Sequence, residues 1–316
     1  MLMYAIKRLV GIVAILFVMS VLVFAITQVM PGDVAHVLAG QFAEPAAVAA
    51  ISHKLGLDQP AWLQYWHWIA GAVRGDFGQS LVMERPVGPL VMEAFLSSAL
   101  LAAISFVLVT VIGIGLGVIA AVRRDSLIDQ TIAFVSYLSI SVPEFFWALV
   151  GVIVFAKTLD WLPSGGAGHL SDGILPWASH LVLPVATLTL ALVAHIARLT
   201  RSSMIDALRS QYVRNARAKG LPERAVVYGH ALPNALMPTI TVLAIDVGWL
   251  LGNIVVVEAV FSYPGLGRLL LFAIERHDLP LIQASILLIA AVYCLANLVA
   301  DLLYAFVNPR IRYGTA

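Results

Sequence analysis

Charge is scarce in this chain. Only 12% of its 316 residues are Asp, Glu, Lys or Arg, and 61% are hydrophobic. Soluble domains carry about twice that share of charge, so the composition belongs to the membrane class. Cysteine is nearly absent as well: Cys294 stands alone inside an apolar run. A single cysteine excludes an intramolecular disulfide and a cysteine metal cluster, leaving a small apolar packing residue as the expectation. The chain also lacks His-Glu-x-x-His, Gly-x-Ser-x-Gly and Gly-x-x-x-x-Gly-Lys-Ser/Thr. Zinc proteolysis, elbow-type hydrolysis and ATP hydrolysis by this chain are therefore not expected. Its eight histidines (36, 53, 67, 169, 180, 195, 230, 277) include no pair at i, i+3 or i+4. No catalytic residue, metal or cofactor is expected in this chain.

Long apolar runs are what the chain has. Six are long enough to cross a hydrocarbon core, which needs roughly 20 helical residues: Leu9–Met30, Ser97–Val122, Thr131–Lys157, His180–Ala197, Ala235–Val257 and Leu281–Val307. The first follows Lys7-Arg8 but is longer than a signal core, and no small-x-small cleavage site follows it, so an uncleaved first helix is expected. Segments 1–8, 123–130, 198–232 and 308–316 hold thirteen of the nineteen Lys and Arg. The positive-inside rule then predicts an all-α, six-span protein with both termini and the 198–232 loop cytoplasmic.

The segment 31–96 falls outside in that scheme. Trp62, Tyr65, Trp66, Trp68 and Phe77 recur in it, which predicts short amphipathic helices at the interface or over the outer mouth of the bundle. Pro31-Gly32-Asp33 and Gly75-Asp76-Phe77-Gly78 are expected as turns, and Asp160–Gly166 as a flexible outer loop. The expected organisation is an N-terminal helix (1–30), an outer segment (31–94), a core of five helices (95–308) containing the loop 198–234, and a cytoplasmic tail (309–316).

That loop carries the most information. Met204–Lys219 has few breakers, and Met204, Leu208 and Tyr212 recur at helical spacing. Gly220 is expected to end the helix in a left-handed conformation and Pro222 to sit in the first turn of another. Pro233 should end that second helix and Asn234 should cap the fifth span. Small residues around the turn leave room for a partner's backbone.

This arrangement resembles the EAA loop of ABC importer permeases: Glu-Ala-Ala, three residues, Gly, nine residues, an apolar residue, then x-Leu-Pro. Ala216 fits the second alanine, Gly220 the glycine and Leu232-Pro233 the final pair, while Arg214, Asn215 and His230 depart from the pattern. The departures match the dipeptide/oligopeptide/nickel branch, whose version resembles Tyr212–Gly220 here. Gly75–Ser80, Phe261–Gly267 and Asn308–Tyr313 extend the resemblance along almost the whole chain, and the short N-terminus is similar to the B-type subunit. The resemblance implies a type I ABC importer permease fold in a bacterial or archaeal inner membrane. It further implies a second permease, two ABC ATPases that hold the ATP and Mg, and an extracytoplasmic solute-binding protein. The solute would be a peptide or a similar small molecule. Residues Arg214, Asn215, Ala216, Arg217, Ala218, Lys219, Gly220, Leu221, Pro222 and Glu223 would then form the coupling element in an ATPase cleft. Glu258, Phe261 and Tyr263, near the outer mouth, would be contacts for the binding protein.

Polar residues within the spans are the remaining candidates. A carboxylate at the centre of a span costs about 2.5–3.5 kcal/mol, so Asp246 should face the bundle interior or a wet cavity. Trp249 and Asn253 share its face, and together they form a candidate translocation path. Asn297 and Asp301, spaced i, i+4, fit interhelical hydrogen bonding, and Gly113, Gly115 and Gly117 fit close helix approach. Glu144, after Pro143, is expected at a kink. Asp246 or Glu144 as a proton carrier would define the alternative: a secondary transporter or channel driven by an ion gradient.

Overall fold

The computed structural model describes residues 2–29, 44–54, 56, 58–168 and 170–307. Pro31-Gly32-Asp33, Asn308–Tyr313, the 309–316 tail, His36 and His169 lie outside the described residues. The helices are α1 (Leu2–Val29), α2 (Pro45–Lys54), α3 (Ala61–Val73), α4 (Val87–Val122), α5 (Leu127–Ser141), α6 (Glu144–Gly151), α7 (Ile174–Leu208), α8 (Gln211–Ala218), α9 (Leu232–Val260), α10 (Leu266–Glu275) and α11 (Leu279–Val307). Among the described residues five helices are long and apolar enough to cross a membrane, and α5–α6 makes a sixth if its two arms are one span.

The expected third span is broken rather than kinked, with a bend of 103° between α5 and the arm that starts at Glu144. Val142, just before proline, is extended at φ −104° and ψ 131°, as the proline ring requires of its predecessor. Pro143 has no amide hydrogen to give the Ser139 carbonyl. The Trp147 indole donates to that carbonyl instead, at 3.3 Å. The second arm continues from α6 as a wider π-helical stretch, Val152–Thr158.

Two compact units interleave along the chain. The first comprises residues 1–98 and 264–295, the second 99–263 and 296–316. In the first, Val87, Leu90, Val91, Ala94, Leu266, Ala273, Leu281 and Ile282 form the buried core. Ser80 donates to Asp278 Oδ2 at 2.5 Å, and Asp278 also accepts from the Val82 and Leu281 amides. Asp278 thus caps α11 and holds the 75–87 segment against it. Gly75 and Gly78 take φ of 81° and 76° in the expected turn, and the Gly78 amide donates to Asp76 Oδ1. Tyr65 and Trp68 of α3 pack on Phe24 of α1, and Tyr65 shares a hydrogen bond of 2.9 Å with Ser20. Trp62 and Trp66 remain exposed.

In the second unit α7 is the central helix, packed by α5, α6 and α9. Its core includes Leu101, Val109, Leu188, Ile196, Leu243, Leu250 and Val257. Two of the three expected glycines bring α4 close to α7. A Cβ on Gly113 would lie 2.8 Å from Ile196 Cγ2, and one on Gly117 would lie 2.7 Å from the Ala197 carbonyl oxygen. Gly115, on another face, has nothing within 4 Å. Across α7, Thr200 meets Thr239 of α9 at 3.2 Å, both side chains buried. At one end of α7, Arg201 donates twice to Asp129 of α5, each at 2.6 Å. Asp129 also accepts from the Asp125 amide. The expected flexible loop at 160–166 is tied down: the Gly166 amide donates to the Phe261 carbonyl at 2.8 Å, and the His180 ring meets the Gly165 carbonyl at 3.0 Å. Gly165 packs so closely that a Cβ would collide with the Phe261 carbonyl.

Candidate functional site

The loop after α7 is helical but in more pieces than its sequence suggests. The helix expected over 204–219 breaks at Arg209-Ser210, where the Ser210 hydroxyl donates back to the Ala207 carbonyl at 2.6 Å. α8 then presents two faces. Val213 and Ala216 turn inward against Met204, Ala207, Val226, Val227 and Ala231. Arg214, Asn215, Arg217, Ala218 and Lys219 stay exposed, as do Gly220, Leu221, Pro222 and Glu223 beyond them.

Gly220 closes α8 as expected. Its φ is 75°, its amide donates to the Arg217 carbonyl at 2.9 Å, and the Leu221 amide donates to the Ala216 carbonyl at 3.4 Å. Those two bonds define a Schellman cap, which satisfies carbonyls the helix end would otherwise strand. A Cβ on Gly220 would meet nothing within 4 Å. Pro222 precedes the next helical turn, Glu223–Ala225, as its N-cap rather than sitting inside it. Arg217 and Glu223 clasp the turn through paired contacts of 3.1 and 2.5 Å. The carboxylate pushes the Arg217 guanidinium above its ordinary range, so it remains charged.

Beyond the turn the helix widens over Val226–Ala231 and runs into α9 without stopping. Pro233 therefore does not end a helix; it lies directly after the widened stretch, at the start of α9. Asn234 does not cap from its side chain either, because its amide donates to the His230 carbonyl at 2.9 Å.

Asp246 is buried near the middle of α9, with Trp249 47% exposed and Asn253 half-buried. Facing Asp246 from α7 is His195, whose Nδ1 lies 3.4 Å from Asp246 Oδ2, within ion-pair reach but without hydrogen-bond alignment. Glu144 Oε1, at the α5–α6 bend, is buried and makes no hydrogen bond. Asn297 and Asp301 are half-buried on α11, and Cys294 is buried as expected.

The three residues expected to meet a binding protein lie beneath the surface. Glu258, Phe261 and Tyr263 are all buried, and the Tyr263 amide donates to the Glu258 carbonyl at 2.9 Å. They shape the turn from within rather than from its exposed side. Among the described residues no group of three or more His, Cys, Asp or Glu is placed to hold a metal ion.

His195, Arg198 and the pairs Asp129–Arg201 and Ser80–Asp278 were not singled out from the sequence. Each of these lies between 51 and 198 residues from the residue it meets, with no local pattern joining them. Asp278 alone had a signal, an aspartate followed by Leu-Pro at the start of an apolar run, which reads as an N-cap.

The architecture defines a class, an all-helical multi-span protein with the fold of ABC importer permeases. The structure of the MetNI methionine ABC transporter in an inward-facing conformation superimposes with a TM-score of 0.55 at 18% identity, covering 69% of this chain and 96% of that one. An amino acid ABC transporter solved with histidines gives 0.50 at 17% identity, covering 71% and 94%. The sequence matches the family "Binding-protein-dependent transport system inner membrane component" over residues 113–313, and that system's N-terminal membrane component over residues 1–95. The chain belongs to this family and is a multi-pass protein of the inner membrane. It is similar to the glutathione transport system permease protein GsiC of Escherichia coli strain K12, with 44% identity over 313 residues, 99% of this chain and 100% of the relative. GsiC of Shigella dysenteriae serotype 1 gives the same identity and coverage.

Proposed function

We propose that this chain pairs with a second permease to form the pathway of an importer for peptides or similar small solutes. Two cytoplasmic ATPases drive it through the turn at Arg214–Glu223, and an extracytoplasmic binding protein delivers the solute. ATP and Mg belong to the ATPase subunits. The observation that carries this reading is the turn itself. It is exposed and basic, it is held by a Schellman cap and the Arg217–Glu223 clasp, and it leaves open space over Gly220. A partner's backbone can approach there without meeting a side chain. Val213 and Ala216 anchor the same turn in the core that contains the start of α9, so a push on it reaches the bundle through packed side chains.

The mechanism is alternating access. ATP binding draws the two ATPases together and carries the turns with them, opening the bundle outward; hydrolysis returns it. Asp246, Trp249 and Asn253 border the pathway on α9. Similarity to permeases named for glutathione, itself a tripeptide, supports a peptide-like solute. Reconstitution into proteoliposomes with the partner subunits tests the reading. Solute uptake should require ATP and a binding protein, and should persist when a proton uncoupler is added. Uptake that collapses with the uncoupler while ATP is held constant favours an ion-gradient carrier and overturns the proposal.

A further inference from the structure

Asp246 presents little of its own surface to the proposed pathway. Its side chain is 10% exposed, and Oδ2 is buried without a hydrogen bond. His195 covers it, with a side chain 52% exposed. α9 runs from Leu232 to Val260, so Asp246 and the facing His195 lie roughly 21 Å from either end of that helix at 1.5 Å per residue. At such depth an exposed imidazole on the lipid face is disfavoured, and ionisable groups there face protein or water. Arg198, expected at the start of the cytoplasmic loop, lies one turn along the same face of α7, which continues to Leu208, and is also exposed. Its guanidinium carbon stands 4.8 Å from the Tyr137 ring centroid. A contact with a ring face does not use up the guanidinium's N–H donors. The next basic residue, Arg201, is already engaged by Asp129.

Resting on the importer reading above, we infer that His195 and Arg198 form a subsite for a carboxylate group of the transported solute, with Asp246 as the residue that positions His195. The guanidinium offers paired donors that match a carboxylate. With Nδ1 held 3.4 Å from Asp246 Oδ2, the other ring nitrogen is left to face the solute carboxylate. The buried aspartate thereby fixes the ring's direction. Leu192, Ala194, Ile196 and Ala197 are buried and Ala191, Val193 and Leu199 partly so, which leaves these two as the exposed side chains on this part of α7.

The near absence of cysteine makes the test direct. In a Cys294→Ser background, His195→Cys and Ala191→Cys place a thiol at the site and one turn along the same face; Ala191→Cys leaves the His195–Asp246 pair intact. The assembled complex in proteoliposomes is treated with an anionic ethylsulfonate and a cationic trimethylammonium methanethiosulfonate reagent, with rates normalised to a free thiol. Both thiols should react faster than Ile15→Cys in the first span. At Ala191→Cys, where the His195–Asp246 pair is intact, the anionic reagent should be preferred by about fivefold, as expected of one nearby positive charge in water, and Arg198→Gln should abolish the preference. Thiols no more reactive than Ile15→Cys, a preference for the cation at Ala191→Cys, or a preference there indifferent to Arg198→Gln would each overturn the inference. ATP-driven uptake is measured on the same vesicles. Uptake that persists while the labelling pattern fails sinks the carboxylate subsite alone. The expected labelling without ATP-driven uptake sinks the importer reading, and the subsite as a solute site with it.

Discussion

Replacing Gly220 separates two demands that a coupling turn makes on one residue. At φ 75° the backbone is left-handed, which costs an ordinary L-residue about 1–2 kcal/mol, a shift of roughly 5- to 30-fold in the occupancy of the turn. Steric crowding contributes nothing within this chain, because no atom lies within 4 Å of the missing Cβ. A series of Ala, Asn and Leu at position 220 therefore has a diagnostic order. If backbone conformation alone matters, Asn, which tolerates the left-handed region best, keeps the most activity, and Ala and Leu lose it about equally. If a partner's backbone rests on the turn, loss follows size, and Leu is worse than Ala although both insert normally. The account predicts the second order. The assay is ATP-driven uptake beside ATP hydrolysis in proteoliposomes, with inserted protein quantified in each preparation. Wild-type coupling in the Leu variant would refute the reasoning, because an exposed left-handed turn that accepts any side chain is not a docking surface.

Other consequences follow from the packing. Reversing either charge of Arg217–Glu223 should lower coupled uptake, while the exchange Arg217→Glu with Glu223→Arg should restore it; the exposed clasp contributes no more than about 1 kcal/mol, so a double-mutant cycle on uptake is the measurement. Asp129→Ala leaves Arg201 half-buried without its carboxylate and should cost about 2 kcal/mol, read as a lower midpoint of thermal aggregation in detergent. Gly117→Val should destabilise by about 1–3 kcal/mol by forcing α4 away from Ala197 and Thr200, whereas Gly115→Val should be nearly neutral; the same melting experiment compares them. Ser80→Ala removes one donor from the buried Asp278 carboxylate and should cost about 1–3 kcal/mol, with earlier proteolysis in the 75–87 segment as the readout.

The spans were legible because a helix that crosses lipid must be apolar over its whole length, and that requirement is written locally. Gly220 was legible for the same kind of reason, since few residues other than glycine accept its backbone conformation. Pro143 announced a kink, but not a break with a 103° bend; the angle depends on what α6 packs against, which no short window contains. The burial of Phe261 and Tyr263 was hidden because the chain segment that covers their turn, Leu162–Gly166, comes about a hundred residues earlier. Asp246 was expected to face the bundle interior or a wet cavity and is buried, but His195, which stands against it, was not foreseen. A lone histidine on an apolar helix carries no mark of the carboxylate it faces. The Asp129–Arg201 pair was obscured by the orientation rule itself, which accounts for basic residues near helix ends without requiring partners for them.

A photo-reactive crosslinker placed at Lys219, beside the left-handed glycine, tests the central claim most directly. In the assembled complex it should capture the nucleotide-hydrolysing subunit, with a yield that changes when ATP is added. Capture of lipid alone, or of a protein on the opposite side of the membrane, would contradict the account.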